Sequence, residues 1–326
     1  MKALVTGANG FTGSHLVKAL NRRGDQVTGL VRKSSNLSRL ADAEIDLVYG
    51  DITDQVALAT AMQDVDVVFH IAAYVDLGIV NETEMARVNV EGTRTVLAAV
   101  RAIADAGGTP PKIVYCSTIG IFGDTQGQVV DETFQRTQTS FSSAYDRTKY
   151  EAQQLIDAHA AAGMPAVSLM PAGILGPDDP HFGPVINLFL KRRLKLWPGG
   201  QRITGIVHVD DLVEALLLAA EHGQSGEHFI ISAGELSTQK MFEILSNKTG
   251  IPTPAEPPEA LVRLLGALLD PIGKLFNWNP PLSRERVHYI YDRCVRIDAS
   301  KAQKELSWHP RSIEAILSDL IATPDQ

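Results

Sequence analysis

Thr6-Gly7-Ala8-Asn9-Gly10-Phe11-Thr12-Gly13 carries a glycine at every third position from 7 to 13. The turn follows a short apolar run, residues 3–6, and opens an amphipathic pattern over 12–23. Gly7 permits a tight turn, Gly10 lets the backbone approach a pyrophosphate, and Gly13 lets helix and strand pack closely. The free N–H groups and positive dipole of the helix start then face the phosphates. Asn9, Phe11 and Thr12 complete the loop and are expected to contact the same ligand. Spaced glycines alone are a weak signal; the strand–turn–helix context makes this a dinucleotide-binding loop.

Further apolar runs at 26–31, 45–49, 65–70, 112–116 and 166–170 read as strands. Helical patterns at 55–62, 82–106 and 145–162 lie between them. Such alternation implies βαβ units, right-handed crossovers and a parallel sheet. The expected fold is α/β, a Rossmann doubly wound parallel sheet with a smaller, mainly helical C-terminal substrate-binding cap. Residues 1–170 are expected to form the cofactor domain, with return segments near 203–232; residues 171–326 supply a discontinuous cap. Helices at 210–221 and 238–249, a proline-rich connector at 251–258 and three or four more helical segments fill that half. The cap is expected at the carboxyl edge of the sheet, where doubly wound folds bind ligands.

The 326 residues are 44% hydrophobic and 21% charged, enough for a globular core without staples. With 30 basic and 38 acidic residues, the net charge of −8 argues against a nucleic-acid partner. Two cysteines, Cys116 and Cys294, build no disulfide framework, and a reducing, cytoplasmic setting is expected. No apolar run reaches 18 residues, so no membrane span is expected. The greasiest stretch, 261–276, contains only Arg263 and Lys274 as basic residues and is expected to be a lid helix rather than a membrane-surface helix. No metal site is expected.

The end of the second strand bears on cofactor choice. NAD-binding folds usually place a carboxylate there for the adenosine ribose hydroxyls. This chain has Leu30-Val31-Arg32-Lys33-Ser34-Ser35 instead. Arg32 and Lys33 could clamp a 2′-phosphate, which favours NADP (NADPH) and leaves NAD possible. After the third strand, Gly50-Asp51-Ile52 offers a carboxylate for the adenine amino group. Asp54 is the better helix cap, which leaves Asp51 freer for the cofactor.

Tyr145-Asp-Arg-Thr-Lys149 starts a helix, and positions four apart share a face. A nearby ammonium favours a phenolate, giving a proton donor and acceptor near neutral pH. Ser117 and Thr118 end the fifth strand at the same sheet edge, where a hydroxyl can hold a substrate oxygen and the tyrosine.

In order along the chain stand the glycine loop, Gly50-Asp51, His70-Ile-Ala72-Ala73, Asn89-Val-Glu-Gly-Thr93, Ser117-Thr118 before Phe122-Gly123, Tyr145 with Lys149, Pro171-Ala-Gly-Ile174-Leu-Gly-Pro177 and Val207-His208-Val-Asp-Asp211. This set resembles the extended short-chain dehydrogenase/reductases, the NAD(P)-dependent epimerase/dehydratase superfamily, over essentially the whole chain. The resemblance implies Tyr145 as acid/base, Lys149 as its partner on the nicotinamide ribose, Thr118 as the catalytic hydroxyl and Ser117 as a neighbouring helper. It also implies Asn89 as a support from the long helix, Ala72 and Ala73 beside the cofactor, and Pro171 and Ile174 near the carboxamide. His208 is expected to make a structural hydrogen bond. A homodimer through the helices at 82–106 and 145–162 is the family-like arrangement.

Two departures separate the chain from nucleotide-sugar enzymes. Those commonly carry Arg-Asp where this chain has Thr204-Gly205, and Leu-Arg where it has Leu169-Met170. Arg202 could substitute for the lost arginine. Val31-Arg32 and the tail resemble the dihydroflavonol 4-reductase-like and 3β-hydroxysteroid dehydrogenase-like members. Phe182, Ile186, Trp197, Leu264, Leu268 and Phe276 are the apolar lid candidates. The expected activity is hydride transfer interconverting a carbonyl and an alcohol on a small, apolar substrate, with NADP as cofactor. The alternatives are an NAD-dependent nucleotide-sugar epimerase/dehydratase and a catalytically silent dinucleotide sensor.

Overall fold

Alternate side chains of the first strand face opposite ways, Ala3 and Val5 into one core and Leu4 into another. The computed structural model describes residues 1–322. Among these, the strands are β1 (Lys2–Thr6), β2 (Gln26–Val31), β3 (Asp46–Tyr49), β4 (Val67–His70), β5 (Lys112–Cys116), β6 (Val129–Val130), β7 (Ala166–Pro171), β8 (Gly173–Leu175), β9 (Ile203–His208), β10 (His228–Ile231), β11 (Gly234–Ser237) and β12 (Arg296–Ile297). Seven form one parallel sheet in the order β10-β7-β5-β4-β1-β2-β3. The order reverses at β1, and the carboxyl ends of β1 and β4 flank the crevice where such sheets take ligands.

Helices cover both faces. Phe11–Arg22 and Val209–His222 close one core with Phe69, Val114 and Leu169. Gln55–Ala61, Gly92–Asp105 and Ala144–Ala161 close the other with Leu4, Val68 and Ile113. Burial on both faces explains why these strands read as continuous apolar runs. Lys112 Nζ donates to the carbonyls of Ala219, Ala220 and Gly223, so a cation seals the C-terminal end of Val209–His222.

The second half differs from the coarse sequence reading. β8, β9 and β11 form a separate three-stranded sheet, and β10 supplies the seventh strand of the main one. β8, β10 and β11 have three or four residues each, too few for alternation to be visible. His208 caps the helix after β9, its Nδ1 accepting from the Asp210 amide at 3.1 Å. The expected long helix at 82–106 is two helices, Glu82–Ala86 and Gly92–Asp105, joined by a π-helical turn over Arg87–Glu91. Glu259–Phe276 is continuous through Pro271, and no helix of the described residues is long and apolar enough to cross a membrane.

Candidate functional site

The glycine turn is locked by sterics. Gly7 has φ +70°, and a Cβ there would lie 2.9 Å from the Ala72 backbone. A Cβ on Gly13 would meet the Gly7 carbonyl oxygen at 2.1 Å. The Gly10 amide donates to that same oxygen at 2.9 Å. The segment after β4 is tied to this turn by one network. Thr6 Oγ1 accepts from the Ile71 and Ala72 amides and meets His70 Nδ1 at 2.9 Å. His70 Nε2 meets Thr93 Oγ1 at 2.9 Å, and Thr93 donates its own proton to the Asn89 carbonyl. Thr93 must therefore accept from His70 Nε2–H, which leaves Nδ1 to accept from Thr6. Burial, with the Lys149 charge, pulls His70 down to about 3, so the ring is neutral.

A cavity of about 950 Å³ runs along the carboxyl edge of the sheet. Its wall contains Gly7, Asn9, Gly10, Phe11, Thr12 and Gly13, the residues expected to hold a pyrophosphate. Asp51, Ile52, Ala72, Ala73, Pro171 and Ile174 line it as well. Arg32 and Ser35 stand at its β2 end, the Ser35 hydroxyl accepting from the Arg32 amide at 3.1 Å. Of the expected pair, Lys33 is exposed and does not line the cavity: it stands in the turn that the Ser35 amide closes on the Arg32 carbonyl. Asp51 is also less free than its position suggested. Arg87 holds it with Nη1 at 2.6 Å and Nη2 at 3.2 Å, and Thr53 donates to it twice. These bonds keep its carboxyl well below the usual range. Asp54 caps Gln55–Ala61 as expected. The glycine cradle, the helix N-terminus and an elongated cavity between Arg32 and Tyr145 fit a dinucleotide.

Thr118, Tyr145 and Lys149 meet on the cavity wall, with Ser117 beside them. Thr118 Oγ1 accepts from the Gly120 amide at 3.1 Å and shares the cavity wall with the Tyr145 phenol. Ser143 caps the helix that presents Tyr145 and Lys149, accepting from the Asp146 amide at 3.0 Å. Burial holds the Tyr145 phenol well above its ordinary value. Lys149 sits one helical turn beyond Tyr145 on the same wall. Its ammonium donates to the Cys116 carbonyl, and burial pulls it down to about 8. Ser117 Oγ is buried without a hydrogen-bond partner among the described residues.

Asn89 is brought close but not into the cavity wall. Its Oδ1 accepts from the Tyr74 amide at 2.7 Å, and its Nδ2 donates to the Tyr74 carbonyl and to Thr148 Oγ1. It is therefore a positioning residue for the cavity-lining segment 71–75. The π turn aims its side chain, and a sequence pattern of period 3.6 does not reveal such a turn.

The cap contributes residues that sequence reasoning missed. Tyr289, Ile290, Arg293 and Val295 line the cavity beside Trp197, Arg202, Ile203 and Thr204. Arg293 pairs with buried Asp146, Nε to Oδ2 3.3 Å, directly after Tyr145 in sequence. Among the lid candidates, Phe182 and Trp197 line the cavity, whereas Ile186 is packed in a separate core. Glu259–Phe276 contributes nothing to the wall. Its Leu264, Leu268 and Phe276 are 56%, 54% and 73% exposed, which overturns the lid expectation. Periodicity shows that a helix has an apolar face but not what covers it.

Residues 3–232 match the model of the NAD dependent epimerase/dehydratase family. Over 99% of this chain and 98% of the relative, the sequence is 29% identical to sterol demethylase protein B of Methylococcus capsulatus. It is 32% identical to a putative dihydroflavonol 4-reductase of Synechocystis, covering 97% and 92% of the two chains. The crystal structure of a protein called gox2253 superposes with a TM-score of 0.82 at 30% identity, covering 98% of this chain and 96% of that one. With the glycine turn and the edge cavity, these likenesses identify the chain as a member of the NAD dependent epimerase/dehydratase family, the extended short-chain dehydrogenase/reductases, and as an NAD(P)-dependent oxidoreductase.

Proposed function

We propose that the protein interconverts a carbonyl and an alcohol on a small, largely apolar substrate, with NADP as its cofactor. The observation that carries this reading is the meeting of Thr118 and Tyr145 on one cavity wall, with Lys149 one helical turn beyond Tyr145. When bound, the cofactor supplies or accepts the hydride. In the reductive direction Thr118 and Tyr145 hydrogen-bond the carbonyl oxygen, and Tyr145 Oη delivers the proton to it. The raised affinity of Tyr145 for its proton suits that role, because the phenol stays protonated until the oxygen gains charge. Lys149 then stabilises the phenolate. Alcohol oxidation uses the same groups in reverse.

NADP is favoured by Arg32 at the cavity end and by the absence of a carboxylate at the end of β2. The asparagine and alanine contacts of the loop and the 71–75 segment serve either cofactor. The sugar-nucleotide alternative is disfavoured at Gly205. A Cβ there would lie 3.0 Å from each of the Ala172, Ile297 and Ser232 side chains, so the acid usual in those enzymes would press on all three. The putative dihydroflavonol 4-reductase among the relatives supports carbonyl reduction. The reading includes a cytoplasmic homodimer, and the unbridged Cys116 and Cys294 suit a reducing compartment.

The test is a titration of NADPH against NADH, followed by turnover on a panel of ketones and alcohols. NADPH is expected to bind about 10-fold or more tighter, and Arg32→Ala to erase most of that difference. Tyr145→Phe is expected to lower turnover by at least about 100-fold with cofactor binding retained. Full turnover in Tyr145→Phe would sink the acid/base assignment. Good NADPH binding with silence across the panel would point to a sensor.

A further inference from the structure

We propose, resting on the carbonyl/alcohol reading above, that Arg202 anchors a carboxylate carried by an otherwise apolar substrate. Arg202 lines the same cavity as Thr118 and Tyr145. Its guanidinium carbon lies 4.8 Å from the centre of the Tyr289 ring, and that of Arg293 lies 4.3 Å from the same centre. Arg293 is matched by Asp146 at 3.3 Å. Arg202 has no side-chain hydrogen bond and no ion pair among the described residues. Removal from water also pulls its basicity below the usual arginine range.

Arg202 is half-buried, and a guanidinium partly withdrawn from water without a counter-ion is costly, a cost recovered when a ligand supplies the anion. Of the two guanidiniums at this end of the cavity, Arg293 is matched by Asp146 and Arg202 has no ion pair. Asp179, also on the wall, accepts from the His181 amide. A single unpaired guanidinium suits a monoanion, and the planar fork of arginine suits a carboxylate. A diphosphate would bring more negative charge than this end can match. The wall beside Arg202 includes the apolar side chains Phe182, Trp197, Ile203, Met241 and Val295. The substrate is thus an oxo or hydroxy acid with an apolar body, its reacting carbon at Thr118 and Tyr145 and its carboxylate at Arg202.

The experiment measures binding to the NADP-loaded protein by calorimetry. The probes are 4-oxo-4-phenylbutanoate and longer aryl and alkyl oxo acids, each with its neutral primary amide, and UDP as the competing anion. The acids are expected to bind about 10-fold or more tighter than their amides. Arg202→Gln is expected to weaken acid binding by about 30-fold, change amide binding by less than about 3-fold, and leave NADP affinity unchanged. Arg202→Lys is expected to restore part of the loss. Equal affinity for acids and amides in the unaltered protein would overturn the assignment, even if Arg202→Gln fails to fold. Tighter binding of UDP than of any acid would overturn it as well. If acids and amides turn over alike and Arg202→Gln changes neither, the anion site falls and the reductase reading stands. If acids bind preferentially but no probe turns over, the anion site stands and the reductase reading falls.

Discussion

Lys149 Nζ donates to the Cys116 carbonyl oxygen at 2.8 Å, so this ammonium rests on the end of β5 and not on a carboxylate. Burial pulls it from its usual 10.5 to about 8. Between those values the unfolded chain keeps a proton that the folded chain has lost. Stability from this group therefore rises as pH climbs through that window, and the full cost of charging is present below about 8. Lys149→Met is expected to raise stability at pH 7 by roughly 2 kcal/mol, a gain that fades toward pH 10.5, while turnover falls at least about 100-fold. Urea midpoints of both proteins at pH 7 and 10 check the first part; initial rates check the second.

His70 titrates in the acid range. Its ring nitrogens are both occupied, and its folded value near 3 lies below the unfolded 6.5. The unfolded chain takes up a proton first, so stability is lost as pH falls below 6.5 and the loss levels off near 3. The expected slope from this residue is at most about 1.4 kcal/mol per pH unit. His70→Gln should start less stable at pH 7 and lack that component. Parallel pH dependences of the two proteins, measured by denaturant titration from pH 7 to 4, would refute the assignment.

Gly13→Ala is expected to weaken dinucleotide binding by at least about 100-fold and to destabilise the fold by about 3 kcal/mol. The added Cβ would lie 2.1 Å from the Gly7 carbonyl oxygen, and backbone must move. Gly24→Ala is the control. It has φ +77° but nothing within 4 Å of the new carbon, so roughly 1 kcal/mol and no change in cofactor affinity are expected. Fluorescence titration with NADPH and thermal melts separate the two effects.

Asp146 and Arg293 are both buried, and each leaves an uncompensated partner when removed. Asp146→Asn or Arg293→Met alone is expected to cost about 3–5 kcal/mol. The double variant should recover much of that, because neither charge is then stranded. Additive losses in a double-mutant cycle would show that the pair is not coupled.

Much of the cofactor half was legible in the chain because its signals are local. The glycine turn is a strand, a turn and a helix start within thirteen residues of the N-terminus. Tyr145 and Lys149 share one helix, and four-residue spacing fixes their common face. Thr118 was legible for a similar reason, as the residue leaving a strand at the edge of a parallel sheet.

The sequence by itself determined the doubly wound sheet, the phosphate turn and the Tyr145–Lys149 face, since each follows from short-range periodicity and backbone sterics. Only the tertiary structure decided which charges are neutralised and which face the cavity. Asp51 meets Arg87 from 36 positions away, and Asp146 meets Arg293 from 147. Arg202 and Tyr289 come together from separate segments of the cap. The apolar face of Glu259–Phe276 stays exposed although its pattern is that of a buried helix. Pairing and exposure depend on where distant segments dock, and spacing along the chain carries no record of that.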